Sequence, residues 1–256
     1  MMKPSVINTV LDIPRAAMDL SGWFFNYYLL YKKKFGDLPH GNNQPLLLIP
    51  CFLGRTSQLW PLQKTLTSLG YDVHLWNGRF NTGFTELEFK ALADQITAIE
   101  KDKGRVTIVG HSWGGVVGLD VAYQFPDKVA ALVMMCSPVL GRRHPEAVIS
   151  LVHSLLNLLV DPNHRLLSSE YTERLLVAPP DGVKVIGLHT PRDGIINPSA
   201  CIHPSDMAIN VKVRNGIGGG HTGIVFNTEA MRLCAKMLES IRPNRVADEP
   251  QRSRHI

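Results

Sequence analysis

Cysteine is scarce in this chain of 256 residues, long apolar runs are missing, and charged residues make up only 19%. Each shortage excludes something. The four cysteines, Cys51, Cys136, Cys201 and Cys234, stand far apart. They form neither CxxC metal pairs nor the dense framework of a small secreted domain, and read as buried thiols in a reducing compartment. The most apolar N-terminal stretch, Leu20 to Tyr31, is interrupted by Ser21, Gly22 and Asn26 and is too short to span a bilayer. The N-terminus has no signal-peptide layout, since Lys3 is followed by Asp12, Pro14, Arg15 and Asp19 rather than an apolar core. The expected location is therefore the cytoplasm. Low-complexity segments and repeats at solenoid spacing are absent too. The net charge of +5 is spread out, apart from Lys32-Lys33-Lys34 and the tail arginines Arg242, Arg245, Arg252 and Arg254. No basic stretch is interleaved with stacking aromatics, so a nucleic-acid partner is not expected.

What is present is a 45% hydrophobic content, enough for one sizeable core. After a helical-looking segment over 1–43, short apolar runs alternate with amphipathic ones. Strands are expected at Pro45–Pro50, Tyr71–Trp76, Val106–Val109, Val129–Met135, Val183–Leu188 and Ala208–Val213. Helices are expected at Ser57–Leu69, from a capping box at Thr85 to Glu88 onward to about Asp102, at Trp113–Phe125, and at Asn227–Ile241. This alternation predicts an α/β fold, a mostly parallel sheet with helices on both faces, whose ligands sit beyond the carboxyl ends of the strands. The expected division is an N-terminal helical segment (1–43), a main domain (44–241) with a short helical cap insertion at about 141–182, and a flexible basic tail (242–256).

Ser112 stands directly after the third strand in the run Gly110-His111-Ser112-Trp113-Gly114. A sharp strand-to-helix turn there lifts a nucleophile clear of the sheet, and the flanking glycines remove Cβ atoms where strand and helix cross. A serine hydroxyl needs a base, and the base an orienting carboxylate. Asp193 follows the fifth strand at the carboxyl edge, whereas Asp181 and Asp206 precede strands and lie at the wrong edge. His221 follows the last strand through the loop 215–220, whose glycines would let it reach back to Ser112. His40 and His74 precede the turn, His111 lies inside it, and the remaining histidines fall in the insertion, before the last strand, or in the tail. The expected triad is Ser112, Asp193 and His221.

Over about residues 44–241 the chain resembles the α/β-hydrolase superfamily, and more narrowly its bacterial lipase and esterase-like members. The resemblance rests on IPCFLG, LWNGRFNTG, VGHSWGG, MMCSPVLG, HTPRDGIINPSAC and GIGGGHTGIVFN. It implies a serine esterase that works through an acyl-enzyme and needs no cofactor or metal. It also implies an oxyanion hole built from the backbone amides of Trp113 and Phe52. The family commonly has glycine where Cys51 stands, which makes a left-handed turn at that residue costlier if one is needed, with Gly54 as an alternative source of flexibility. Acyl transfer or thioester cleavage by the same residues stays open, as does a non-catalytic protein that keeps the fold.

Two segments carry expectations of their own. Ala147–Val160 in the insertion is apolar nearly all round, and reads either as the lining of an acyl pocket or as a helix packed into the core. The aromatics Trp23, Phe24, Phe25, Tyr27, Tyr28 and Tyr31 followed by three lysines fit a helix lying on anionic lipid, but a helix docked on the sheet edge is the preferred reading.

Overall fold

The computed structural model describes residues 5–29, 35–83, 85–140, 158, 173, 176–214 and 219–241. Six strands form one sheet: β1 (Pro45–Ile49), β2 (Asp72–Leu75), β3 (Val106–His111), β4 (Val129–Met135), β5 (Lys184–His189) and β6 (Ile209–Lys212). Their order is β2-β1-β3-β4-β5-β6, and every neighbouring pair is parallel. All six expected strands are present within two residues of their expected ends. The main difference is β3, which continues through Gly110 and His111 because both pair with β4, at Met134 and Met135.

The helices are α1 (Val6–Leu29), α2 (Trp60–Ser68, preceded by a 3-10 turn at Thr56–Leu59), α3 (Glu86–Lys103), α4 (Trp113–Gln124) and α5 (Thr228–Ile241). Side chains alternate across the strands with period two, so each strand feeds two cores. Leu46, Leu48, Val109 and Val133 face a layer containing Trp23 of α1, Leu66 of α2 and Leu238 of α5. Leu47, Ile49, Ile108 and Leu132 face Leu92 and Ile96 of α3 and Val117 of α4. The capping box forms as expected: Thr85 Oγ1 accepts from Glu88 N at 3.2 Å and Glu88 Oε2 accepts from Thr85 N at 2.8 Å.

The chain runs from β1 outward to β2, then returns to the other side of β1 as β3. At this reversal the connections leave in opposite directions and open a crevice at the carboxyl ends. The loop after β1 and the turn after β3 flank it, so Phe52 and Ser112 are brought together by topology.

α1 is docked, but not on a sheet edge. Trp23 is fully buried, donating from Nε1 to Thr65 Oγ1 at 2.9 Å and meeting Trp60 edge-on at 4.7 Å between ring centroids. Its buried face is Asp12, Ala16, Asp19 and Trp23, one residue per turn. Val6, Ile7, Val10 and Ile13 lie on the opposite face and are 67–77% exposed. The helix thus turns acidic groups inward and apolar ones outward. It also runs through Pro14. The Val10 carbonyl that loses its partner there lies on the solvent side, where water can replace it. No helix among the described residues is long and apolar enough to cross a membrane. Most of the insertion, including Ala147–Val160 apart from Leu158, and the tail 242–256 lie outside the described residues.

Candidate active site

Ser112 is the first element of the site because its backbone is forced. It sits at φ 53°, ψ −122°, a conformation that side chains other than glycine adopt only at a cost of about 1–3 kcal/mol. The surrounding glycines make the turn sterically feasible. A Cβ on Gly114 would lie 2.5 Å from the Ile49 and Pro50 carbonyl oxygens, and one on Gly115 would lie 2.0 Å from Ser137 Oγ. The elbow can therefore form only where helix α4 crosses the ends of β1 and β4 without side chains in between.

The structure brings all three expected side chains together. His221 Nε2 lies 3.0 Å from Ser112 Oγ, and His221 Nδ1 lies 2.8 Å from Asp193 Oδ2. Asp193 is fully buried, and its other oxygen accepts from the backbone N–H of Ile195 at 2.9 Å and of Ile196 at 2.7 Å. With both oxygens occupied, the carboxylate cannot rotate away from the imidazole. Nδ1–H donates to Asp193, which leaves Nε2 free to accept the serine proton. Burial alone would push the His221 pKa down, but the Asp193 charge and hydrogen bond, with a smaller contribution from Asp12, carry it above the ordinary histidine value.

The cavity in front of Ser112 has a volume of about 210 Å³ and a mostly apolar wall that includes Phe52, Leu53, Ile195, Val225 and Phe226. Phe52 therefore faces the same space as Ser112. Trp113 is buried at the head of α4, and its indole Nε1 donates to the Gly83 carbonyl at 3.3 Å. The left-handed residue in the loop after β1 is Leu53 (φ 57°), not Cys51. Gly54 has a different duty from the flexibility suggested for it. A Cβ there would lie 2.8 Å from the Cys51 carbonyl and Sγ and from Gln58 Oε1, so the turn closes on itself at that point.

Several residues that hold this site were not singled out from the sequence. Asn81 is fully buried and ties the Phe52 loop down: its Nδ2 donates to the Pro50 carbonyl at 2.7 Å, and its own carbonyl accepts from Leu53 N at 2.6 Å. It lies in the quoted LWNGRFNTG stretch, but nothing in its spacing marks it. His111, set aside because it lies inside the elbow, donates from Nε2 to the His221 carbonyl at 3.0 Å. Burial, reinforced by the neighbouring His221 charge, pushes its pKa down to about 3. Asp12 and Asp19 of α1 also reach the site, through the loop that carries His221. Cys136, at φ 50° after β4, completes a cluster with Asp193 and His221 whose donor atoms lie within 4.8 Å of one another. This is a poor metal site, because Asp193 and His221 are already bonded to each other. Burial, and then the Asp193 charge, also hold the Cys136 thiol well above its usual pKa.

A family profile described as the alpha/beta hydrolase fold matches residues 44–177. The chain is 30% identical over 98 residues to RutD of Cronobacter sakazakii, a protein named for carbamate hydrolysis; the match spans 36% of this chain and 37% of that one. Among solved structures it resembles a monoacylglycerol lipase of Paleococcus ferrophilus, with a TM-score of 0.51 and 16% identity over 80% of this chain and 97% of the other. It also resembles the lipase BlEst2 of Bacillus licheniformis, with a TM-score of 0.56 and 14% identity over 79% and 94%. At these identities the structural likeness concerns the fold.

Proposed function

The chain belongs to the alpha/beta hydrolase fold family, and on that premise we propose that it is a serine hydrolase that cleaves a carboxylic ester with an apolar acyl part. The observation that carries this reading is the unbroken relay from Ser112 through His221 to Asp193, at 3.0 and 2.8 Å. Ser112 Oγ attacks the ester carbonyl as its proton passes to His221 Nε2, and Asp193 steadies the imidazolium without taking the proton. The oxyanion faces the Phe52 and Trp113 amides. Collapse expels the alcohol, which takes the proton back from His221, and leaves an acyl group on Ser112. Water then repeats the sequence and releases the acid. The apolar wall formed by Phe52, Ile195, Val225 and Phe226 suits the acyl chain.

A fluorophosphonate probe tests the nucleophile, with Ser112→Ala as control. One adduct on Ser112 is expected, and a folded wild-type protein that takes up no label would refute the reading. Acyl transfer and thioester cleavage use the same residues. A panel of p-nitrophenyl esters of increasing chain length, a thioester and a carbamate, each with and without an added alcohol acceptor, separates these outcomes by product.

The substrate surface is part of the same reading. The exposed row Val6, Ile7, Val10 and Ile13 lies on the helix that borders the loops of the site. In sequence, Lys3 and Lys32 to Lys34 flank that helix. Apolar residues flanked by lysines suit an anionic lipid surface. Co-sedimentation with anionic vesicles is expected to fall on Ile7→Ser/Ile13→Ser substitution and at high salt. Equal partitioning of variant and wild type would end the idea.

A further inference from the structure

The machinery proposed above does not use α1, yet its buried acidic face is spent entirely on the loops of the site. Asp12 is 2% exposed and accepts four hydrogen bonds. Its Oδ1 accepts from His221 N at 2.6 Å and from Gly194 N at 3.3 Å. Its Oδ2 accepts from Thr222 N at 3.0 Å and from Thr222 Oγ1 at 2.6 Å. One carboxylate therefore joins the segment that carries His221 to the segment that carries Asp193. Seven residues on, Asp19 accepts from Gly219 N at 2.5 Å and from Asn227 Nδ2 at 2.7 Å, bracing the two ends of the histidine loop. Thr9 Oγ1 donates to the Gly194 carbonyl at 2.6 Å, and Arg15 Nη1 donates to the Arg192 carbonyl at 3.2 Å.

The peptide of His221 is thus held at both ends, its N–H by Asp12 and its carbonyl by His111. A second observation, from sterics, points the same way. A Cβ on Gly220 would lie 2.4 Å from Asp12 Oδ1, one on Gly223 2.4 Å from Asp19 Oδ2, and one on Gly194 2.2 Å from the Asn8 carbonyl. These glycines are required because the helix lies against them. Reach toward the elbow, the role suggested by the sequence for the glycines of 215–220, does not explain the tight contact at Gly220. Loops and helix are shaped for each other, and a buried carboxylate is tolerated only where its acceptor sites are filled in this way.

We propose that Asp12 is a positioning residue for His221, which makes α1 an integral support of the active-site loops rather than an N-terminal appendage. The inference deepens the hydrolase reading and rests on it for its kinetic effect. A small displacement of the base lengthens the Ser112–His221 contact, and misplacement on the ångström scale costs about 10²-fold in rate. The groups that face the imidazole are Asp193 from the segment after β5, Asp12 from α1, His111 from β3 and Cys136 from the end of β4.

Asp12→Asn tests the proposal, because the amide keeps the shape but turns an N–H toward donors and removes the charge. Turnover of a p-nitrophenyl ester is expected to fall about 10–10²-fold with KM within about twofold. The acidic limb of the rate profile should move to lower pH, since a negative charge near the imidazolium is gone. The low-field Nδ1–H proton resonance of His221 reads the ring position without turnover, and it should shift or broaden. A folded variant with wild-type kcat, pH limb and resonance would overturn the proposal, as would a lower melting temperature as its sole change. If Asp12→Asn does not fold, Thr222→Val removes one donor to the same carboxylate, and an undisturbed resonance in that variant overturns the proposal equally. A wild-type protein that shows the resonance but reacts with no ester or fluorophosphonate sinks the hydrolase reading instead, and the resonance in Asp12→Asn still decides the positioning role.

Discussion

At the scale of single residues, the geometry separates groups that would react from groups that hold them. Asp193 has one oxygen on His221 and the other on two backbone amides. Asp193→Asn would keep the packing but favour the wrong histidine tautomer, so kcat is expected to drop about 10⁴-fold with the fold intact, measured by ester turnover beside circular dichroism. Asn81 acts at one remove, through the loop that carries Phe52. Asn81→Ala should therefore cost on the order of 10-fold in kcat, less than the about 10²–10³ of a lost oxyanion donor. A loss confined to KM would show that the loop serves binding instead. His221 must be neutral to act as base, and its pKa is raised. Activity should rise with pH through a limb above about 6.5, the ordinary histidine value, and an acidic limb below that value would contradict the geometry.

At the scale of elements, stability and catalysis come apart most clearly at α3. Neither Thr85 nor Glu88 lines the cavity in front of Ser112, so Thr85→Ala should cost about 1 kcal/mol in unfolding free energy and leave kcat unchanged. A change in turnover would mean that α3 reports to the site. That cap was legible because its signal is local: two residues three apart on a polar helix start. The six strands were legible for a similar reason, as short apolar runs bounded by turn residues. Ser112, Asp193 and His221 were legible because each follows a strand, and all parallel strands end on one edge. The buried acidic face of α1 was not legible, because periodicity takes the apolar face of a helix as the buried one. Here Asp12 and Asp19 are buried by accepting from the backbone N–H groups of His221 and Gly219, 209 and 200 residues away. No local pattern encodes such a partner. Leu53 and Asn81 escaped for the same reason, since a left-handed leucine is stabilised by its bond to a distant turn rather than by its neighbours.

At the scale of the whole molecule, two histidines in contact pull the pH dependence in opposite directions. The folded-state pKa of His111 lies at about 3, lowered chiefly by burial. Below the unfolded value of about 6.5 the unfolded chain takes up a proton that the folded one refuses, so stability falls by up to about 1.4 kcal/mol per pH unit as pH drops toward 3. His221 behaves conversely. Its pKa is raised by Asp193 and Asp12 against the cost of burial, so its contribution is fully present below about 6.5 and is lost as pH rises through the folded value. The two together place the best stability contributed by this pair near the ordinary histidine value, while catalysis needs His221 neutral and so peaks at higher pH. Ester turnover should therefore reach its maximum on the alkaline side of the maximum in melting temperature. In His111→Gln, a side chain that does not titrate can still donate to the His221 carbonyl, so the acid side of the melting profile should flatten while its alkaline side persists. In Asp193→Asn the alkaline loss should diminish instead. Coincident maxima for stability and turnover in the wild type, or an acid slope unchanged in His111→Gln, would show that this buried pair does not govern how the protein responds to pH.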